Sequence, residues 1–278
     1  MKRKAAVEVS YTLNKVNMYG CNRIEYRTLT VSAIFLLVFL ASCMSYDQPR
    51  LGVAEAVLEE ADTSKPVVTT SFQGTTLPPV FEAAFIAGTK VLQGEMAYTF
   101  YKYDVGSIKI ESGKIIAGDP IVMHDASPFT ELFPIGRFPV HLALAKTKDD
   151  ERVAFSRIVF SENPIVRWEY ALKKGQRPIS IKDTSIYCYG VDAGIGLFID
   201  SVANYYFNQK KASDWEAVFI EDEKLIRRGY MHEFEGHNLA TFTTGYGDGC
   251  YATYIGFDKG GRACQLLTDF GLVAWWRL

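Results

Sequence analysis

Short apolar stretches separated by turn residues run through most of the chain after residue 90. Their lengths and their many β-branched and aromatic side chains predict strands rather than helices. The predicted strands are residues 96–103, 107–110, 114–117, 137–146, 152–160, 186–191, 239–244, 250–256, 262–267 and 272–276. Ser112-Gly113 predicts a hairpin between the second and third strands, and the polar residues 147–150 and 258–261 predict two longer ones. Strands joined by such short turns pair antiparallel.

The hydrophobic period changes between the predicted strands 186–191 and 239–244. Phe198, Val202 and the pair Tyr205-Tyr206 have the spacing of one helix face. Residues 213–216 read Ser-Asp-Trp-Glu, a capping box that predicts the start of a second helix. We therefore predict an α+β fold, a largely antiparallel β-sheet domain with two consecutive helices inserted and packed against it.

Near the N-terminus, residues 31–41 form an apolar run that is too short to span a bilayer, which takes about 20 residues. Residues 40–43 read Leu-Ala-Ser-Cys and resemble the lipobox of a bacterial lipoprotein signal peptide, with Arg23 and Arg27 as the positive flank. The alternative is a buried core segment with a chance cysteine. The lipobox interpretation predicts that Cys43 carries lipid and anchors the protein to a membrane of the bacterial cell envelope. Because no Asp follows Cys43, known sorting signals favour the outer membrane.

This interpretation divides the chain into three parts. Residues 1–42 are the signal peptide, although a start at Met18 would give a signal peptide of more ordinary length. Residues 43–78 are a lipidated tether, because prolines and a short Thr/Ser-rich stretch punctuate them. Residues 79–278 form a single α+β domain.

Loss of the signal peptide changes the charge balance. Residues 1–42 carry six basic and two acidic side chains, so the remaining 236 residues carry 24 basic and 30 acidic ones, a net charge of −6. Proteins that bind nucleic acid carry basic patches. The mature chain is therefore not expected to bind nucleic acid.

Three cysteines follow Cys43 in the chain, namely Cys188, Cys250 and Cys264. Three cysteines allow at most one disulfide among themselves and leave one thiol. Cys250 and Cys264 lie on adjacent predicted strands, so they are the favoured pair if a disulfide forms. It is equally open that all three cysteines are small buried apolar side chains.

Several short blocks together resemble the bacterial family named domain of unknown function 4241. They are residues 112–120 (SGKIIAGDP), 134–140 (PIGRFPV), 168–171 (WEYA), 191–194 (VDAG), 243–251 (TTGYGDGCY) and 268–270 (TDF). Their order and spacing carry the resemblance, which extends over roughly residues 80–278. The chain has Thr244-Gly245-Tyr246 where the family pattern has Ser-Gly-Trp. The resemblance implies no established activity, cofactor or catalytic residue.

Four aspartates are candidates for catalysis by paired carboxylates. Asp119, Asp192 and Asp248 each lie beside or between glycines, where an ordinary turn is the alternative. Asp269 interrupts an apolar stretch, and a buried carboxylate there needs hydrogen-bond donors. We expect those donors to be the N–H groups of residues 245–249, and a hydrolytic acid with raised pKa is the alternative.

Two further patterns fail the tests for a metal or a cofactor. His232 and His237 are five residues apart, whereas the zinc-protease motif places histidines four apart on one helix face. Gly190, Gly194 and Gly196 lack the spacing of a dinucleotide-binding loop, and no P-loop lysine follows them. We therefore predict no metal and no cofactor.

An aromatic stretch offers a possible contact surface. Tyr98 and Phe100 alternate with Tyr101 and Tyr103, so the two pairs point to opposite faces of a strand. Such side chains either fill a sheet core or form a face that binds a glycan or a protein. We expect a cell-envelope lipoprotein of unknown biochemical activity that acts as a binding module. The alternative is a hydrolase-type enzyme that uses the aspartates of its Gly-rich loops.

Overall fold

The computed structural model describes residues 66–72, 76–123, 126–210, 212–219 and 228–277. The strands are β1 (Val67–Thr69), β2 (Lys90–Gln93), β3 (Met96–Ile110), β4 (Ile115–Gly118), β5 (Gly136–Lys146), β6 (Glu151–Val159), β7 (Arg167–Tyr170), β8 (Tyr189–Val191), β9 (Ile195–Asp200), β10 (Gly229–Phe234), β11 (His237–Thr243), β12 (Gly249–Phe257) and β13 (Ala263–Asp269). The helices are α1 (Val80–Ala83), α2 (Ser201–Phe207) and α3 (Ala212–Phe219), with a 3-10 turn at Trp275–Arg277. The predicted signal peptide and Cys43 lie outside the described residues. Within them, no helix has the length and apolar composition needed to cross a membrane.

The strands form two antiparallel sheets. The large sheet has the order β1-β2-β3-β5-β6-β13-β12-β7, and β8 pairs with the other end of β12. The small sheet has the order β10-β11-β9-β4. Strand β1 pairs with β2, so the large sheet begins inside the segment that was predicted as a tether.

The molecule is built in four layers, in the order α2 and α3, the small sheet, the large sheet, and α1 with the C-terminal turn. One face of the small sheet packs on the large sheet, where Phe242 contacts Phe198 and Phe270. Its other face carries Leu197 and Leu239, which pack under α2 and α3. The far face of the large sheet is covered by α1 and the C-terminal turn. There Phe81, Trp168, Tyr254 and Trp275 form one aromatic cluster.

The α+β prediction is wrong, because the described chain is mainly antiparallel β-sheet. The two inserted helices have only 7 and 8 residues and cover part of the small sheet. Phe198 misled the helix assignment, since it lies in β9, a strand that is buried on both faces. A strand buried on both faces has no polar alternation, so its apolar run resembles a helix. Helix α2 begins only after Asp200, whose carboxylate accepts a 2.8 Å bond from the Val202 N–H.

Two other local predictions are also wrong. Ser112-Gly113 does not close a hairpin, because β3 pairs with β2 and β5 while β4 pairs with β9 of the small sheet. The chain changes sheets at this turn. Residues 272–276 form no strand, since the chain turns there into the short 3-10 segment that brings Trp275 onto Phe81.

The longer predicted hairpins are confirmed. Strands β5 and β6 pair, and the Thr147 N–H closes their turn on the Asp150 carbonyl at 2.8 Å. Strands β12 and β13 pair through a turn at Asp258. In both cases strong strand signals on each side of a polar turn leave one pairing available.

The predicted Cys250–Cys264 disulfide is wrong. Cys250 pairs with Cys188, with a Cα–Cα distance of 5.4 Å, and Cys264 is a free, buried thiol. The strand register explains why Cys250 pairs with Cys188 and not with Cys264. Cys264 lies near the turn of the β12–β13 hairpin, opposite the end of β12 that is far from Cys250. On the other side of β12, Gly190 lies directly opposite Cys250 and brings Cys188 within reach.

Candidate binding surface at the loop end of the sheets

Three chain segments meet at one end of the two sheets. The turn after β11 lies between the loop before β9 and the start of β6. Its Thr244 N–H donates to the Gly194 carbonyl at 3.1 Å, and its Gly245 N–H donates to the Val153 carbonyl at 3.1 Å. A Cβ atom on Gly194 would lie 3.5 Å from the Gly247 Cα, so the two loops are in contact. We call this region the loop end.

A tyrosine, a glutamate and an arginine form a bonded cluster at the loop end. The Tyr101 hydroxyl donates to one Glu151 oxygen, and the Arg228 guanidinium holds the other oxygen at 3.0 and 3.1 Å. The same guanidinium lies 5.2 Å from the centre of the Tyr103 ring. Alternation along β3 places both tyrosines on one face, as the sequence predicted. Burial, with the bond to Glu151, raises the pKa of Tyr101 to about 12, so its hydroxyl remains a donor.

A second arginine and an exposed tyrosine lie at the same end of the sheets, on the opposite face of β6 from Glu151. The Arg152 guanidinium donates to the Gly245 carbonyl at 3.2 Å and lies 4.8 Å from the centre of the Tyr246 ring. Its Nε atom lies 2.5 Å from the Asp150 carboxylate. Tyr246 is 61% exposed. Burial raises the pKa of Tyr98, and the hydrogen bond of Tyr98 to Tyr246 adds to the shift.

The two groups of side chains lie on opposite faces of the large sheet, and both border the turn after β11, through the Arg228 carbonyl at Thr243 and the Arg152 guanidinium at Gly245. We call these half-exposed tyrosine rings, guanidinium groups and carboxylates together the Tyr/Arg surface. Its members are Tyr101, Tyr103, Glu151, Arg152, Arg228 and Tyr246. Each guanidinium is paired with a carboxylate but keeps about 38% of its side chain exposed. Exposed pairs of this kind contribute at most about 1 kcal/mol to stability, so they can exchange partners when a ligand arrives. Tyrosine and arginine are also the residue types most enriched at the centres of binding interfaces.

The predicted catalytic aspartates do not gather in one cleft. Asp119 is 1% exposed and accepts three backbone N–H bonds, from Ile121, Asp192 and Ala193, at 2.8–2.9 Å. It therefore holds the Asp192 loop in place. Asp192 itself and Asp248 are exposed on the two loops that touch at the loop end. Asp248 lies beside Tyr251, whose pKa is raised mainly by burial.

Asp269 is buried, as predicted, but two of its donors differ from those we expected. One oxygen accepts from the Gly271 N–H at 2.8 Å and the other from the Trp275 indole at 2.7 Å. Two of the expected donors, the N–H groups of Gly245 and Gly247, bond instead to the Val153 and Thr244 carbonyls. Asp269 thus fixes the turn that returns Trp275 onto the large sheet.

Sequence reasoning missed two further structural carboxylates. Asp200 is fully buried and accepts bonds from the N–H groups of Glu111 and Ser112, the Ser112 hydroxyl and the Val202 N–H. Its position just before a helix was the available signal, but the helix start had been placed too early. Asp258 closes the β12–β13 turn. Bonds from Arg262, first of all from its backbone N–H, lower the pKa of Asp258 to about 2.

The two histidines lie on the helix-covered face of the small sheet, in different surroundings. His232 contacts the rings of Trp215 and Phe219, and burial lowers its pKa. His237 stacks on Tyr206 with 4.5 Å between ring centres, and its Nδ1 atom bonds to Glu111. Within the described residues, no three His, Cys, Asp or Glu side chains are grouped so as to hold a metal ion.

Comparison with known proteins identifies the family without an activity. Neither the curated proteins nor the solved structures contain a match to the chain. A family model described as "Protein of unknown function (DUF4241)" matches residues 108–268. This range is shorter than residues 80–278, over which the blocks suggested a resemblance, but it covers more than half of the chain. It includes β4 to β12, most of β13 and only the last three residues of β3. The chain therefore belongs to the DUF4241 family.

Proposed function

We propose that the protein is a lipid-anchored binding module of the bacterial cell envelope, and that the Tyr/Arg surface binds a protein partner. The observation that carries the binding role is the Tyr/Arg surface itself. It combines an exposed ring, Tyr246, with two half-exposed guanidinium groups, each in an ion pair at the surface. Interface hot spots have this composition.

Two observations support the location. The Leu-Ala-Ser-Cys sequence at residues 40–43 follows an apolar run of suitable length for a signal peptide. The Cys188–Cys250 disulfide suits an oxidising compartment such as the periplasm or the cell surface, because cytosolic thiols are kept reduced. Both observations are consistent with export and anchoring through Cys43.

The hydrolase alternative finds less support. Paired-carboxylate catalysis needs two acids that face one substrate, with one of them in an environment that raises its pKa. Asp119 and Asp269 instead accept well-formed bonds from donors in separate turns. Each of these carboxylates therefore holds its own turn in place.

The anchoring is tested by metabolic labelling with a fatty-acid analogue. The wild-type protein should incorporate label, whereas Cys43→Ser should remain unlabelled and should accumulate as the unprocessed precursor. A labelled Cys43→Ser protein would contradict lipidation at this residue.

The binding role is tested by affinity capture of the lipidated protein from its own envelope. Arg228→Ala and Tyr246→Ala should each reduce the amount of a captured protein at least tenfold. The matched control is Arg167→Ala, since Arg167 is also half-exposed, is paired with Glu169 at 2.7 Å and lies over the Phe257 ring at 4.4 Å. Equal losses in all three variants would contradict a specific site. Capture of a glycan instead of a protein, sensitive to the same two variants, would keep the site but change the class of partner.

A further inference from the structure

A cleft on the helix-covered face of the small sheet, away from the large sheet, has the chemistry of a separate small-molecule site. It lies between residues 120–123 and the two helices α2 and α3, and its volume is about 190 Å³. Its apolar walls are Pro120, Ile121, Met123, Phe207 and Trp215, and the polar residues Asn208 and Lys210 also line it. An apolar cavity of about 150 Å³ is enough to hold a benzene molecule. The cleft therefore has room for a short acyl chain or a single ring.

The walls of the cleft are held by contacts that do not involve a ligand. Phe207 and Trp215 stack with 4.2 Å between ring centres and 11° between ring planes. The Trp215 indole also donates to the Phe207 carbonyl at 2.9 Å. On the other wall, Met123 is 2% exposed. It packs against Gly118 so closely that a Cβ atom there would lie 2.8 Å from the Met123 sulfur. A cleft with fixed walls loses little conformational entropy when it binds.

One lysine, Lys210, places a positive charge beside the apolar walls of this cleft. The Lys210 ammonium group lies 4.9 Å from the centre of the Trp215 ring. Among the described residues, no carboxylate forms an ion pair with Lys210. The arrangement joins an apolar volume to a single positive charge, and binding pockets commonly use one such charged group to orient an apolar ligand.

We propose that this cleft binds a small amphipathic carboxylate, with its apolar part against Trp215 and Met123 and its carboxylate on Lys210. The volume limits the apolar part to about eight carbon atoms. A single lysine matches one negative charge, so a polyphosphate or a dicarboxylate would have at least one negative charge without a positive partner. An ammonium–carboxylate contact is a charge-assisted hydrogen bond, which is about twice as strong as a neutral one. A neutral alcohol of the same length should therefore bind more weakly.

The proposal is tested with octanoate as the probe and the full chain in lipid nanodiscs. Incorporation of 5-fluorotryptophan gives fluorine NMR signals from four tryptophans, and the Trp215→Phe spectrum assigns the signal of Trp215. Octanoate should shift this signal in a saturable way, and 1-octanol should need at least a tenfold higher concentration. Lys210→Gln should weaken octanoate binding about tenfold and leave 1-octanol binding unchanged. Lys174→Gln is the matched control, because Lys174 is exposed and lies outside the cleft.

A second pair of variants tests the location of the apolar part. Met123→Phe should fill the cleft and abolish the shift with both probes, and Ile121→Phe serves the same purpose at a half-buried position if Met123→Phe does not fold. Three results would overturn the proposal. They are no saturable Trp215 shift with octanoate, equal binding of octanoate and 1-octanol, or full octanoate binding in the cleft-filling variants.

Discussion

The buried aspartates and the acids of the loop end differ in the groups that bind them. Asp119, Asp200 and Asp269 accept bonds mainly from backbone N–H groups or from a buried indole. Glu151 and Asp150 are bound by the side chains of half-exposed arginines. A backbone donor cannot leave without unfolding its loop, whereas an exposed arginine can turn to another acceptor. Buried carboxylates of the first kind maintain the fold, and paired groups of the second kind are available for binding.

The largest expected effect on stability is at Asp200. Asp200→Ala would leave the N–H groups of Glu111, Ser112 and Val202 without their acceptor. Each orphaned donor costs about 1–3 kcal/mol, and because these three bonds are only partly buried we expect the low end of their sum, a loss of about 3–5 kcal/mol in the free energy of unfolding. Denaturant unfolding measures this loss. A loss below about 1 kcal/mol would contradict the claim that the buried aspartates maintain the fold and the acids of the loop end do not.

At Asp269 the expected loss is smaller and depends on the replacement. Asp269→Ala removes both acceptor oxygens and should cost about 1–3 kcal/mol. Asp269→Asn keeps one acceptor, so it should cost less than Asp269→Ala. Unfolding curves for the two variants, together with the capture assay, separate structure from function. Unchanged stability with lost capture would make Asp269 part of a functional site.

A third prediction concerns the pH dependence of stability at His141. Burial, with the nearby positive charges of Arg157 and Lys102, lowers the pKa of His141 to about 4. The unfolded chain, with a histidine pKa near 6.5, therefore binds the proton first as pH falls. The contribution of His141 to stability is full above about pH 6.5 and decreases as the pH falls towards 4. His141→Gln should make the unfolding free energy less dependent on pH in this window, and an unchanged slope would contradict the assignment.

The smallest effect on stability is expected at the Tyr/Arg surface. Arg228→Ala breaks an exposed pair with Glu151, and such pairs contribute about 0–1 kcal/mol. We therefore expect an unfolding free energy within about 1 kcal/mol of the wild-type value. Arg152→Ala should behave in the same way. A large destabilisation in either variant would place these arginines with the buried aspartates, as parts of the fold.

The sequence predicts strand pairings that local signals determine, and it misses those that depend on long-range packing. Apolar strands on either side of a polar turn, such as 137–146 and 152–160, identify their own pairing, because local signals and global fold agree there. The turn at Ser112-Gly113 looks the same locally, yet its two strands belong to different sheets. Only long-range pairing decides this, and no local pattern reports it. The helix at Phe198 was misplaced for a related reason, since burial on both faces removes the strand period.

For the candidate site, the sequence identified the loops but not the side chains that work together. The glycines at 245 and 247 and the turn residue Asp192 correctly indicated two tight loops. The contact between those loops, and the approach of Arg152 and Arg228 to them, depend on the packing of the sheets. Both arginines are ordinary surface residues by sequence. Their role is visible only because Glu151, Tyr101 and Tyr246 are brought beside them.

The most direct test of the binding role is site-specific photo-crosslinking in living cells. A photoreactive amino acid replaces Tyr246 at the loop end or, as the control, Val166, which is 52% exposed on the large sheet next to β7. The account predicts a discrete crosslinked protein from position 246 and none from position 166, and it predicts that Arg228→Ala removes the product. Equal crosslinking from both positions, or a product that persists in Arg228→Ala, would contradict a partner-binding Tyr/Arg surface.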